Sequence, residues 1–153
     1  MRLISTLNSF QPPHAAGCFG SIRKYDIHTG IDLYCFPHTL VPCLKDGEVV
    51  DVGLFTGELA GSPWWNNTSY VVVKDDKNYI LYGELFAFVE IGEQVIAGQQ
   101  IGSVLPVLKK DKGLPTCMLH LEYYSSYLEP VWWKLDADRP HGLLDPTNLV
   151  CTN

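Results

Sequence analysis

Basic residues are scarce: eleven Lys+Arg stand against 17 Asp+Glu, a formal net charge of −6. Binding to a phosphate backbone draws on a basic excess, so nucleic acid is not an expected partner. No apolar run approaches the roughly 20 residues of a membrane-spanning helix, and no membrane partner is expected either. Met1 to Gly20 is broken by Asn8, Gln11, Pro12, Pro13 and His14 and lacks the apolar block of a signal peptide, so a chain that is cytosolic on synthesis is expected. The five cysteines, Cys18, Cys35, Cys43, Cys117 and Cys151, contain no Cys-x-x-Cys pair. An odd number without that pairing signals neither a disulfide framework nor a Cys-based zinc knuckle, and reduced thiols are the expectation. The overlapping glycosylation sequons in Asn66-Asn67-Thr68-Ser69 mark an exposed loop.

Sustained helical periodicity is also missing. What is present is a globular composition, 46% hydrophobic and 18% charged over 153 residues, the length of one domain spanning positions 1–153. Glycine and proline punctuate the whole length, and the fold class read from this pattern is mainly antiparallel β. Val49-Val50-Asp51-Val52 follows a Lys45-Asp46-Gly47 turn, and Tyr70–Lys74 pairs with Tyr79–Tyr82 across the polar turn Asp75-Asp76-Lys77-Asn78. Val89 to Val104 reads as two short strands around regularly placed glycines, and Met118 to Tyr124 as the last clear strand. Phe55 to Asn67 reads as a long loop. Its Trp64 and Trp65 either line a cleft or cap the edge of a small core. Lys109-Lys110-Asp111-Lys112-Gly113 reads as a solvated connector.

Two stretches carry candidate chemistry. In His28-Thr29-Gly30-Ile31-Asp32 a straight strand would place the His and Asp side chains about 13 Å apart, at roughly 3.3 Å per residue, and a bend at Gly30 would bring them together. In Met118-Leu119-His120-Leu121-Glu122-Tyr123-Tyr124 the period of two puts Met118, His120, Glu122 and Tyr124 on one face and Leu119, Leu121 and Tyr123 on the other. Taken alone, His120 reads as a satisfied core histidine before it reads as a ligand. Two histidines and one aspartate, if they converge, form a three-ligand zinc site with an open position for water. His14, His38 and His141 sit beside prolines or in turn-like contexts and read as surface residues, and Cys117 reads as a buried thiol facing away from His120.

The order of these elements resembles the lysostaphin-like (LytM-type) zinc endopeptidases, which cleave peptide bridges in bacterial cell walls. Phe19-Gly20-Ser21-Ile22-Arg23 ahead of His28-Thr29-Gly30-Ile31-Asp32-Leu33 is similar to the opening motif of that family, and Val41 to Val50 to the turn and strand after it. Val89 to Gly102 resembles its central hairpin, Met118 to Glu122 falls where it has a His-x-His strand, and Leu144-Asp145-Pro146 is similar to its closing segment. The resemblance implies a single sheet domain of the duplicated hybrid motif type. It further implies zinc held by His28, Asp32 and His120 and a peptide or peptidoglycan substrate. Without an export signal the wall is expected to be reached through lysis or a partner, and the aromatic residues Trp64, Trp65, Tyr123 and Tyr124 are the candidates to line the substrate cleft.

Two positions depart from the pattern. Tyr82-Gly83-Glu84-Leu85 stands where the family has Tyr-x-His-Leu, and Met118 stands where the His-x-His strand has its first histidine. Both assisting histidines are therefore replaced. Glu84 is left as general base, as fourth metal ligand, or as a solvated strand-end carboxylate. An inactive zinc-binding module that grips a peptide or glycan is the rival function. A biotin- or lipoyl-carrier element is excluded, because Tyr82 to Leu108 contains no lysine to modify.

Overall fold

The computed structural model describes residues 2–109 and 116–152. Its strands are, in chain order, β1 (Arg2–Leu3), β2 (Asp26–Ile27), β3 (Ile31–Tyr34), β4 (Leu40–Pro42), β5 (Gly47–Thr56), β6 (Thr68–Lys74), β7 (Tyr79–Ala87), β8 (Gln94–Val95), β9 (Gln100–Val104), β10 (Met118–Tyr124), β11 (Trp133–Lys134), β12 (Leu143–Leu144) and β13 (Cys151–Thr152). One helical turn, α1 (Thr147–Val150), precedes the last. Nine strands form a single antiparallel sheet along the path β12-β10-β7-β6-β5-β8, with β3 added to β10 and β9 joining β7 to β4. The fold is therefore mainly β, as the punctuated sequence implies. Among the described residues no helix is long and apolar enough to cross a membrane.

The β-branched run Val71-Val72-Val73 suits a pleated, buried strand, and it pairs with β7 in the register Val73↔Ile80 and Lys74↔Tyr79. Asp75 closes the turn between them, its Oδ1 accepting the N–H groups of Lys77 and Asn78 at 2.8 Å each. Alternation then divides the sheet. Val71, Val73, Tyr82, Leu119 and Leu121 enter the main core with Ile31 and Leu33. Val72, Leu81 and Tyr124 enter a smaller cluster on the opposite face, with Leu143 and Phe55.

Three features of β7, β10 and the approach to β3 position the site. Gly30 passes so close to β10 that a Cβ there would lie 2.1 Å from the Leu121 carbonyl oxygen, which only glycine avoids. Asp32 then pairs directly with His120. On β7, Tyr82 and Leu85 face Val71 and Ser69, so β7 carries one extra residue there, a bulge. Glu84 sits in that bulge with φ of 65°, in the left-handed region.

Two readings of the sequence need correction. The stretch Val89 to Gly102 is not a hairpin: β8 pairs with β5, and β9 pairs with β4 and β7. Gly92 and Gly98, both at positive φ, turn the chain between partners instead of folding the two strands onto each other. The loop assigned to Phe55–Asn67 starts two residues later, because Phe55 and Thr56 continue β5. Thr56 stays paired with Thr68, and their hydroxyls lie 2.6 Å apart. Beyond Lys109, the charged Lys109–Gly113 stretch lies outside the described residues.

Candidate metal centre

His28 lies in the short link before β3, held on both sides by the segment ahead of it. Its N–H donates to the Ser21 carbonyl at 2.9 Å, and its own carbonyl accepts the Gly20 N–H at 3.0 Å. The bend at Gly30 then folds its ring back over Asp32. His28 Nε2 lies 3.3 Å from Asp32 Oδ1, His120 Nδ1 lies 3.0 Å from the same oxygen, and the two ring nitrogens are 3.3 Å apart. All three residues are buried. Four tetrahedral ligands about 2.0–2.1 Å from a zinc ion are about 3.3–3.4 Å from one another, so these separations fit that ion closely.

The partners on the far side of each ring fix which nitrogen is free. His28 Nδ1 is 3.0 Å from the Cys18 carbonyl, which can only accept, so Nδ1 is the donor there and Nε2 is the nitrogen that faces the site. His120 Nε2 is 2.8 Å from Glu122 Oε2. Burial would raise the Glu122 carboxyl, but hydrogen bonds from His120, Tyr124 and Thr29 hold it below the ordinary range, so it accepts the Nε2 proton and leaves Nδ1 for a metal. Asp32 is likewise raised by burial and lowered by more through its hydrogen bonds to His120 and His28, which leaves it ionised. Its outer oxygen, Oδ2, is 3.2 Å from Arg23 Nη2, and Arg23 is also anchored to the Ala16 carbonyl at 2.7 Å. Burial disfavours a charged His120, yet the two carboxylates push its pKa up to about 10, so without a metal it holds a second proton.

Glu122 is tied further. Thr29 Oγ1 donates to Oε2 at 2.7 Å, the Tyr124 hydroxyl donates to Oε1, and the Val131 N–H donates to that hydroxyl at 3.3 Å. A continuous chain of hydrogen bonds thus links His120 to the Val131 segment.

The other side of the site differs. Glu84 Oε2 is buried with no hydrogen-bond partner among the described residues. Burial first, and the Asp32 charge second, raise its pKa to about 8. It stands outside the convergent group of His28, Asp32 and His120. Met118 lies on the His120 face and adds no polar group. Both border a cleft of about 360 Å³ with the three clustered residues, walled by Phe55, Trp65, Val131 and Trp132. The Phe55 ring lies 5.3 Å from His120, and a Cβ at Gly83 would meet that ring at 2.9 Å.

The structure thus brings together His28, Asp32, His120, Glu84 and Trp65. Trp64 packs edge-on against Trp65 with 63% of its surface exposed and is not part of the cleft wall. Tyr123 points to the opposite face, where its hydroxyl accepts from Asn78 Nδ2 at 2.7 Å. Tyr124 lies beneath the site, buried, and reaches it only through Glu122. His14, His38 and His141 are exposed. The sequence reading gave no role to Arg23, Thr29 or Glu122. For Glu122 the signal was available, because alternation sets it beside His120.

Neither a protein-family model nor a curated protein matches the sequence. Solved structures do. A catalytic-domain mutant of the prophage-encoded M23 protein EnpA from Enterococcus faecalis aligns over 91% of this chain and 90% of its own, at TM-score 0.59 and 21% identity. The catalytic domain of the antimicrobial peptidase lysostaphin from Staphylococcus simulans aligns over 84% and 90%, at TM-score 0.56 and 20% identity. LytU aligns over 79% and 76%, at TM-score 0.54 and 16% identity. What is shared at these identities is the fold, that of the lysostaphin-like M23 peptidase domains.

Proposed function

We propose that this chain is a zinc-dependent hydrolase of peptide bonds in peptidoglycan, with His28 Nε2, Asp32 Oδ1 and His120 Nδ1 as ligands and Glu84 as general base. The observation that carries this reading is the convergence of three ligand atoms at 3.0–3.3 Å in a cleft that also holds an unpartnered buried carboxylate. Bound zinc supplies a Lewis acid that brings the pKa of water toward about 7 and polarises the scissile carbonyl. The residues of the chain do the rest. Arg23 draws Asp32 Oδ2 outward so that Oδ1 faces the histidines. Glu122 holds the His120 ring by its Nε2 proton. Glu84 acts in its ionised form, which the positive charge of a bound metal would favour against the burial that raises its pKa: it takes the proton of the attacking water and returns it to the leaving amine. Trp65 and Trp132 flank the substrate and exclude solvent.

A second reading, a zinc-binding module without turnover, is favoured by Met118: a thioether cannot donate a proton to a developing oxyanion. One experiment separates the two. Zinc-dependent release of new amino groups from purified peptidoglycan is measured for the wild type and Glu84→Gln. The hydrolase reading expects turnover that falls about 10²–10⁴-fold in Glu84→Gln while zinc stays bound. Turnover indifferent to Glu84→Gln contradicts the general base, and an inactive wild type assigns the chain to the binding module.

A further inference from the structure

We propose that Cys35 and Cys117 form a dithiol site that low-molecular-weight disulfides oxidise to an intramolecular Cys35–Cys117 disulfide across β3 and β10. This goes beyond the hydrolase reading and does not depend on it.

The sheet register carries the inference. Tyr34 pairs with Met118 at the ends of β3 and β10, so the next residues along, Cys35 and Cys117, face each other. The Cys35 N–H donates to the Cys117 carbonyl at 3.3 Å, which marks a hydrogen-bonded antiparallel pair. Such pairs hold their Cα atoms about 5.5 Å apart, within the range that a disulfide spans. Both side chains lie on the core face: Cys117 belongs to the main cluster and Cys35 packs against it. The neighbouring Cys117 thiol holds the Cys35 thiol below the ordinary range, and Cys35 together with burial raises Cys117. Cys35 is half-buried and Cys117 buried, so an outside reagent meets Cys35 first.

None of the other cysteines has this arrangement. Cys43 is buried, and its thiol points to the Lys45 carbonyl and the Tyr82 hydroxyl. Cys18 and Cys151 are half-buried in the segment before Arg23 and in β13.

The reaction runs in two exchanges. The Cys35 thiolate attacks one sulfur of the small disulfide and expels one thiolate, leaving a mixed disulfide. The Cys117 thiol then attacks the Cys35 sulfur, its proton passing to the second leaving thiolate. Two protein thiols are oxidised and one small disulfide is reduced to two thiols. In a hydrogen-bonded pair the Cβ atoms stand about 5 Å apart, wider than the roughly 3.5–4.5 Å of a relaxed disulfide, so the bridge is strained and falls among the readily reduced, reversible disulfides. Its ends lie three residues beyond Asp32 and three before His120, so oxidation pins together the two strands that carry those side chains.

The test incubates the full chain with oxidised glutathione, alkylates the remaining thiols and maps the digest by mass spectrometry. The expected product is a linked peptide joining Cys35 and Cys117, lighter by two hydrogens than its reduced halves and abolished by dithiothreitol. In Cys117→Ser the second exchange is blocked, and Cys35 should accumulate as the glutathione mixed disulfide. Five fully alkylated cysteines, or any other pair as the dominant bridge, overturns the proposal, and the wild-type digest decides this even if Cys117→Ser fails to fold. Hydrolytic activity and zinc content do not enter the readout, so failure here leaves the functional reading untouched.

Discussion

The two sides of the cleft are built on opposite plans. On the β10 side every polar atom around the metal group is engaged: Asp32 by Arg23 and both histidines, His28 by the Cys18 carbonyl, and Glu122 by His120, Thr29 and Tyr124. On the β7 side Glu84 projects from a bulge in a left-handed conformation, with one buried carboxylate oxygen unpartnered. A saturated network fixes geometry, because each donor and acceptor has one satisfied arrangement. An orphaned carboxylate costs stability and persists where its proton affinity is used. The comparison assigns binding to one side of the cleft and chemistry to the other.

Breaking the β10 side should have the largest effects. Asp32→Asn removes the charge shared by both histidines, and the zinc content of the purified protein, read by elemental analysis, should fall to background. Gly30→Ala drives a methyl into the Leu121 carbonyl and should cost about 3 kcal/mol in urea unfolding of the metal-free chain. Glu122→Gln keeps the shape but weakens the hold on His120 Nε2, and zinc affinity measured by chelator competition should drop about 10–100-fold. A drop as large as that of Asp32→Asn would make Glu122 more than an orienting group.

The smallest effect sharpens the β7 side. The folded chain holds the Glu84 proton up to about pH 8, while the unfolded chain releases it near 4.5. Between those values the folded state binds more protons, so this group makes stability fall as pH rises. Metal-free Glu84→Gln escapes that loss and should gain on wild type by about 1 kcal/mol or more between pH 4.5 and 8. A difference that does not change with pH would mean that Glu84 is solvated and ordinary.

Much of this was legible in the chain. Met118–Tyr124 declares its two faces by strict alternation, and the hairpin around Asp75–Asn78 declares itself by β-branched runs flanking a polar turn. The approach of His28 to Asp32 was legible only as a bend at Gly30, because the reason for the glycine is a carbonyl 91 residues away, that of Leu121. Strand partners across distance were less legible. Val89–Gly102 has the glycine spacing of a hairpin, yet β8 and β9 each find a better neighbour elsewhere in the sheet. Trp64 and Trp65 look alike in sequence, and only the tertiary path of the loop turns one toward the cleft and the other to solvent. The bulge that aims Glu84 follows from β7 changing partner from β10 to β9 at that point, a property of the whole sheet.

The central claim is that His28, Asp32 and His120 form one zinc site, and titration of zinc into the metal-free protein tests it most directly. Because His120 carries its second proton up to about pH 10, zinc must displace that proton at pH 7. The account predicts saturation at one zinc per chain with release of a proton, and loss of that binding in both His28→Ala and His120→Ala. Wild-type zinc affinity retained in both variants would contradict it.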